Sequence, residues 1–127
     1  MDRSGQFSLE GMRVLILEDE FFIADDLAQA LRRAGAEPVG PASSVKQAEA
    51  LILHERLDAA ILDLNVRGQM ASDFVERLAA SNLPCLIVSG YASDAVPAAV
   101  SQVPRLEKPV SPTVVIESLS AELRRAA

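Results

Sequence analysis

Five polar side chains follow short apolar runs of this sequence, and together they have the residue types needed for phosphoryl transfer. Glu18 and Asp19 follow the run VLIL, Asp63 follows AAIL, Ser89 follows LIV, and Lys108 follows RLE. In an open α/β sheet, ligands bind beyond the carboxyl ends of the strands, so residues distant in sequence can meet there. Two unit charges about 4 Å apart interact by roughly 4 kcal/mol at an effective dielectric near 20. A cluster of three carboxylates therefore predicts a compensating cation.

The oxygen ligands of such a cluster suit Mg²⁺, which also neutralises an incoming phosphoryl group. Next to the ion, the Asp63 carboxylate could act as a nucleophile and form an aspartyl phosphate. Lys108 would offer an ammonium to one phosphoryl oxygen, and the Ser89 hydroxyl would donate a hydrogen bond to another. Taken singly, each residue also suits a helix N-cap, a turn or an exposed surface. Only their joint placement favours a site.

The elements that must position these residues follow from the apolar periodicity. Short continuous apolar runs alternate with longer amphipathic stretches, which predicts βα units and a parallel sheet covered by helices on both faces. The fold class is therefore α/β. The second strand, around Val39, carries two prolines and suits a sheet edge, because proline cannot donate to a central ladder.

Helix signals separate the strands. Gly35 ends the first helix, and Ser44 is a plausible N-cap of the second. Phe21 and Phe22 are expected to pack near the first helix. The segment LNVRGQ after Asp63 is expected to be a loop, and the segment ASDAVPAAVSQ offers only a short fourth helix. The residues expected to face inward are Ile23, Leu27, Leu31 and Ala34 in helix one, Val45, Ala48 and Ile52 in helix two, Phe74, Val75 and Leu78 in helix three, and Ile116, Leu119 and Leu123 in the last helix.

Length and composition limit the remaining possibilities. The chain of 127 residues matches one domain, predicted over 12–127, with 1–11 as an N-terminal extension. No apolar stretch approaches a membrane span or a signal peptide, so we expect a cytoplasmic protein without a membrane partner. The net charge of −6 opposes direct binding of nucleic acid. The single cysteine, Cys85, lies in an apolar run and is expected to be buried and inert.

Four segments in order, VLILEDE, ILDLN, IVSGYAS and LEKPVS, resemble the receiver domain of bacterial response regulators. The resemblance covers nearly the whole chain from Arg13 onward. It implies the flavodoxin-like strand order 2-1-3-4-5 and a phosphoryl group accepted from a sensor histidine kinase or a histidine phosphotransfer protein. It also implies a phosphoacceptor with at most slow autodephosphorylation instead of an enzyme. The residues that it implies as Mg²⁺ ligands are Glu18, Asp19, Asp63 and the backbone carbonyl of Asn65, and those implied to bind the phosphoryl group are Ser89 and Lys108.

The chain departs from the family pattern at three places. Val66 and Arg67 stand where the family usually has a Met-Pro pair. The stretch between Ser89 and Lys108 is short, and Arg105 replaces the usual aromatic of the fifth strand. The segments SGY and RLEKP resemble a single-domain alphaproteobacterial subgroup named for its FATGUY motif. With Arg105 in that place, Tyr91 becomes the candidate switch residue.

Two other functions compete with this interpretation. A degenerate receiver would work only as a phosphorylation-independent interaction module, but it would be expected to lose acceptor or metal residues, and this sequence has lost none. A Toprim-like nucleic-acid enzyme also places a strand-end Glu and later acids around Mg²⁺. It usually requires a D-x-D pair, and DLN supplies one acid only.

Overall fold

A computed structural model describes residues 8–90 and 96–126, and in them short strands alternate with helices. The strands are β1 (Arg13–Leu17), β2 (Glu37–Ala42), β3 (Ala59–Leu62), β4 (Asn65–Val66), β5 (Gln69–Met70), β6 (Cys85–Ser89) and β7 (Arg105–Glu107). The helices are α1 (Phe21–Arg33), α2 (Val45–His54), α3 (Ser72–Ala80) and α4 (Pro112–Ala126), with a 3₁₀ turn at Ala98–Val100.

The central sheet is parallel and has the order β2-β1-β3-β6-β7, which confirms the predicted flavodoxin-like order. The proline-bearing strand β2 lies at an edge, where missing N–H donors interrupt no ladder between two neighbours. Leu17 at the end of β1 is in register with Leu62 at the end of β3, and Ser89 at the end of β6 is in register with Glu107 of β7. The carboxyl ends of four strands therefore form one common edge.

Each face of the sheet packs against its own pair of helices. On one face, Leu15 and Leu17 of β1 pack with α2 and α3, and on the other, Val14 and Ile16 pack with α1 and α4. Because the middle strands are buried on both sides, they read as continuous apolar runs. Cys85 belongs to the first of these cores, as predicted, and burial raises the pKa of its thiol to about 12.

Local sequence signals begin and end the helices much as expected. The Ser44 hydroxyl accepts a hydrogen bond from the Gln47 main-chain N–H at 3.2 Å, which confirms it as the N-cap of α2. Gly35 follows α1 with a φ of +91°, a left-handed conformation that favours glycine. None of the described helices is long and apolar enough to cross a membrane.

Two expectations were wrong. The segment after Asp63 is not a simple loop, because Asn65–Val66 and Gln69–Met70 pair as a small antiparallel hairpin. Phe21 and Phe22 begin α1 but do not pack into the core: their relative exposures are 72% and 80%, and their rings contact each other edge to face. The face of α1 that is buried begins one residue later. The fourth-helix region, where it is described, contains only the 3₁₀ turn.

The contrast between Phe74 and Phe22 predicts a large difference in stability for the same substitution. Phe74 is 1% exposed in the first core, so Phe74→Ala is expected to lower the free energy of unfolding by roughly 3–5 kcal/mol. Phe22→Ala removes an exposed ring and should change the free energy by less than about 0.5 kcal/mol. Urea unfolding followed by circular dichroism measures both, and equal losses would contradict the packing described here.

Candidate functional site

Main-chain hydrogen bonds fix the strand ends that carry the polar residues. The N–H of Glu18 donates to Ala42 O at 2.9 Å, and the N–H of Asp63 donates to Leu17 O at 2.9 Å. On the other side of the sheet, the N–H of Lys108 donates to Ser89 O at 2.8 Å. These bonds continue the parallel ladder by one residue beyond the strands. The side chains at this edge are therefore positioned by the sheet itself.

The ammonium of Lys108 lies among carboxylates from two other strand ends. Its Nζ is 2.7 Å from Glu18 Oε1 and 2.9 Å from Asp63 Oδ2. Glu18 is 3% exposed and Asp63 is 6% exposed, so both charges are largely removed from water. A buried carboxylate without a partner is costly, and the single ammonium compensates both.

Burial and ion pairing shift two pKa values at this place. Burial raises the pKa of Glu18 above its ordinary value, although the hydrogen bond from Lys108 acts in the opposite direction. For Lys108, burial alone would lower the pKa, but the bonds to Glu18 and Asp63 outweigh it and raise the pKa above its ordinary value. Lys108 is therefore charged throughout the neutral range, whereas ionised Glu18 depends on its partner.

The three acids suit a hard divalent ion. Glu18, Asp19 and Asp63 each offer a carboxylate oxygen, and these oxygens lie within 4.8 Å of one another. Asn65 is held next to them, because its main-chain N–H donates to Asp63 Oδ1 at 3.1 Å. Oxygen ligands in this number, with an exposed side at Asp19, are what Mg²⁺ needs while it retains several waters. The donor set therefore fits the predicted ion.

An open cleft of about 490 Å³ gives access to this cluster. The described residues that line it are Asp19, Glu20, Asp63, Asn65, Gly90 and Lys108. Ser89 ends β6 directly before Gly90 and is fully buried, so its hydroxyl is at the edge of the site but does not line the cleft. Tyr91, the predicted switch residue, lies outside the described residues, and its role stays a prediction.

Glu20 and Arg67 contact this site although the sequence analysis assigned them no role. Glu20 Oε1 is 3.4 Å from Lys108 Nζ, and the Glu20 main-chain N–H donates to Glu18 Oε2 at 3.0 Å. The signal for Glu20 was present as the third acid of the EDE run. Arg67 donates its main-chain N–H to Asp19 Oδ2 at 2.8 Å, and no motif of the sequence indicated that contact.

The family model described as response regulator receiver domain matches residues 14–120. A curated relative, the sensory transduction protein LytT of Bacillus subtilis (strain 168), is 31% identical over 84 residues, which are 65% of this chain and 35% of that protein. The chain thus spans about a third of that relative's length.

Solved structures resemble the whole fold. The solution structure of SdrG from Sphingomonas melonis Fr1 superposes with a TM-score of 0.76 at 35% identity, covering 89% of this chain and 97% of that one. A CheY-like receiver domain protein from Methanospirillum hungatei JF-1 superposes with a TM-score of 0.81 at 23% identity, over 92% and 97% of the two chains. The second likeness shows the fold alone.

The position of Lys108 between two buried acids predicts a pH-dependent loss of stability on its removal. Because the pKa of Lys108 is raised, its ammonium stabilises the folded chain at all pH values below the ordinary lysine value of 10.5, and the effect is lost only above it. Lys108→Met is therefore expected to lower the free energy of unfolding by roughly 3–5 kcal/mol at pH 7. The loss should shrink near pH 4, because the raised pKa of Glu18 favours its neutral form there.

The matched control is Lys46→Met on α2, since Lys46 is exposed. It should change the free energy of unfolding by less than about 0.5 kcal/mol at either pH. Urea titrations of both variants at pH 7 and pH 4 provide the comparison. A Lys108→Met protein as stable as the control at pH 7 would rule out the compensating role.

Proposed function

The chain belongs to the response regulator receiver domain family of two-component signalling, and from this premise we propose that Asp63 accepts a phosphoryl group from a histidine kinase or a histidine phosphotransfer protein. The observation that supports this most is the meeting of Asp63 with Glu18 and Lys108 at the base of an open cleft. A nucleophilic carboxylate, a second acid and a cation are the groups that such a transfer requires.

In the proposed step, an oxygen of the Asp63 carboxylate attacks the phosphorus of a phosphohistidine in line with the P–N bond. A P–O bond forms while the P–N bond breaks, and the imidazole leaves with the electron pair and takes up a proton. Lys108 moves its hydrogen bond from Asp63 Oδ2 to an oxygen of the transferred group, so its charge stays compensated. The Ser89 hydroxyl donates to another oxygen of that group.

Mg²⁺ would be held by Glu18, Asp19, Asp63 and the backbone carbonyl of Asn65. When bound, the ion supplies charge neutralisation and orientation for the phosphoryl oxygens. Without a divalent ion, the three acids and Glu20 outnumber the one ammonium among them. This excess of negative charge opposes a phosphoryl donor, and we therefore expect transfer to depend on Mg²⁺.

The phosphoacceptor role is favoured over the two alternatives. A receiver that acts only as an interaction module has no use for a cluster of acids and a lysine whose burial is costly. A Toprim-like enzyme would need a second acid near Asp63 at the end of β3, and Leu64 and Asn65 follow Asp63 instead. The domain would thus act in signalling, with slow hydrolysis of its aspartyl phosphate. Membership of the single-domain FATGUY subgroup stays a prediction.

The surroundings of the cleft suggest where the donor protein binds. Beside the cleft, α1 and α4 border an apolar groove of about 380 Å³, and Glu20 and Lys108 line both the groove and the cleft. Phe21 and Phe22 follow directly after the acids and are exposed. Because Asp63 is at the base of the cleft, a protein-bound phosphohistidine reaches it only if the donor covers this rim. We propose that the exposed rings contact the donor.

Phosphorylation of Asp63 predicts a simple mass-spectrometric result. Acetyl phosphate with Mg²⁺ should add one phosphoryl group to the wild-type chain, and Asp63→Asn should abolish the addition because an amide is not a nucleophile here. Asp73→Asn on α3, which changes an exposed aspartate in the same way, should leave the addition intact. Intact-mass measurement reads all three proteins, and undiminished labelling of Asp63→Asn would refute the assignment.

The proposed donor surface predicts a difference between two phosphoryl donors. Phe22→Ala should slow transfer from a phosphorylated histidine phosphotransfer protein about tenfold, as for the loss of an aromatic anchor at an interface. It should not change labelling by acetyl phosphate, which needs no docking surface. The control is Leu53→Ala near the far end of α2, where the side chain is 78% exposed and distant from the cleft. Equal transfer rates for Phe22→Ala and wild type would exclude the ring from the donor contact.

A further inference from the structure

The small hairpin that follows Asp63 contacts the acidic cluster through its turn. Arg67 and Gly68 connect β4 to β5, and the main-chain N–H of Arg67 donates to Asp19 Oδ2 at 2.8 Å. Asp19 is the one exposed member of the three clustered acids. Glu18 and Asp63 are immobilised by burial and by Lys108, whereas this amide is a fixed donor that holds the carboxylate of Asp19.

The conformation of Arg67 is unusual for its residue type. Its φ is +53°, in the left-handed region that residues with a Cβ enter only at an energetic cost. Such conformations persist where the surrounding structure holds them, and they occur often at functional sites. Here the hairpin is anchored from below, because Val66 is fully buried and the Ala71 N–H donates to Leu64 O at 2.7 Å.

The side chain of Arg67 anchors the same turn from the other direction. Its Nη2 donates to Ser43 Oγ at 2.9 Å, in the connection between β2 and α2. Ser43 is itself held at the start of α2, since its N–H and its hydroxyl both donate to Gln47 Oε1, at 2.8 and 3.0 Å. Through Arg67, the orientation of a carboxylate in the metal site is thus connected to the first turn of a helix.

We propose that Arg67 is a positioning residue for the metal site: the bond from its guanidinium to Ser43 holds the turn, and its main-chain N–H holds Asp19 in the orientation that binds Mg²⁺. This inference rests on the proposed function, because it requires that Asp19 is a ligand of the ion. A ligand that is already oriented loses less conformational freedom on binding, and this increases affinity.

The sign of the effect separates positioning from charge. A guanidinium near a cation site repels the cation, so removal of Arg67 should tighten Mg²⁺ binding if only its charge matters. If Arg67 positions Asp19, its removal should weaken Mg²⁺ binding. The most informative variant is Arg67→Asn, because asparagine tolerates the left-handed conformation and lacks the guanidinium. Ser43→Ala removes the partner of the guanidinium and leaves all charges in place.

The experiment is an isothermal titration with MgCl₂ of the full chain as wild type, Arg67→Asn, Ser43→Ala and the double variant. We expect Arg67→Asn to raise the Kd about tenfold, the lower end for groups that orient metal ligands. Ser43→Ala should raise it as well, and the double variant should bind no more weakly than Arg67→Asn, because both changes remove one interaction. The control is Arg33→Asn at the far end of α1, which removes an exposed arginine and should not weaken binding.

A second measurement reads the geometry without the ion. In ion-free protein, hydrogen exchange of the Arg67 amide should be slow in wild type and faster in Ser43→Ala, while the urea midpoint stays unchanged. Tighter or equal Mg²⁺ binding in Arg67→Asn, beside normal wild-type binding, would overturn the inference and leave the proposed function intact. A wild-type chain that binds no Mg²⁺ would overturn the proposed metal site, and the inference with it.

Discussion

The ion pairs of Lys108 with Glu18 and Asp63 are the interaction on which this end of the molecule depends. The ladder bonds beyond β1, β3 and β6 determine where the three residues stand, so the fold does not allow the charges to separate. Two carboxylates from neighbouring strands are forced together and nearly removed from water. One ammonium from the edge strand compensates both. The same cation that makes the cluster tolerable is therefore also placed to meet an incoming phosphoryl group.

Such an arrangement is supported by the rest of the domain. Buried ion pairs contribute little net stability, because desolvation offsets most of their attraction. Stability must come from the two apolar cores, which consist mainly of aliphatic side chains on either side of the sheet. The middle strands are apolar up to their last residue and become charged directly beyond it. The boundary between core and site is thus a single residue wide, and the ladder keeps it there.

Much of this organisation could be predicted from the sequence, because it depends on periodicity and on strand ends. The alternation of elements, the edge position of β2, the Ser44 cap and the meeting of Glu18, Asp63 and Lys108 all follow from such local signals. The exposure of Phe22 could not be predicted from its type, because many apolar residues remain at the surface. Its position next to Ile23, off the buried stripe of α1, was the available signal. The hairpin was missed because its strands have two residues each and Arg-Gly is not a usual hairpin turn.

That hairpin explains how the chain differs from its family at one of its departures. Where receivers usually have proline, this chain has Arg67 with a φ of +53° and an N–H that reaches Asp19. Proline is restricted to a φ near −65° and has no N–H, so it could neither form this turn nor donate this bond. Exchange of the pair for Val66 and Arg67 replaces a rigid connection by a main-chain donor, with the valine as its anchor in the core. Metal ligands common to the family are then oriented by a contact that its usual sequence cannot make.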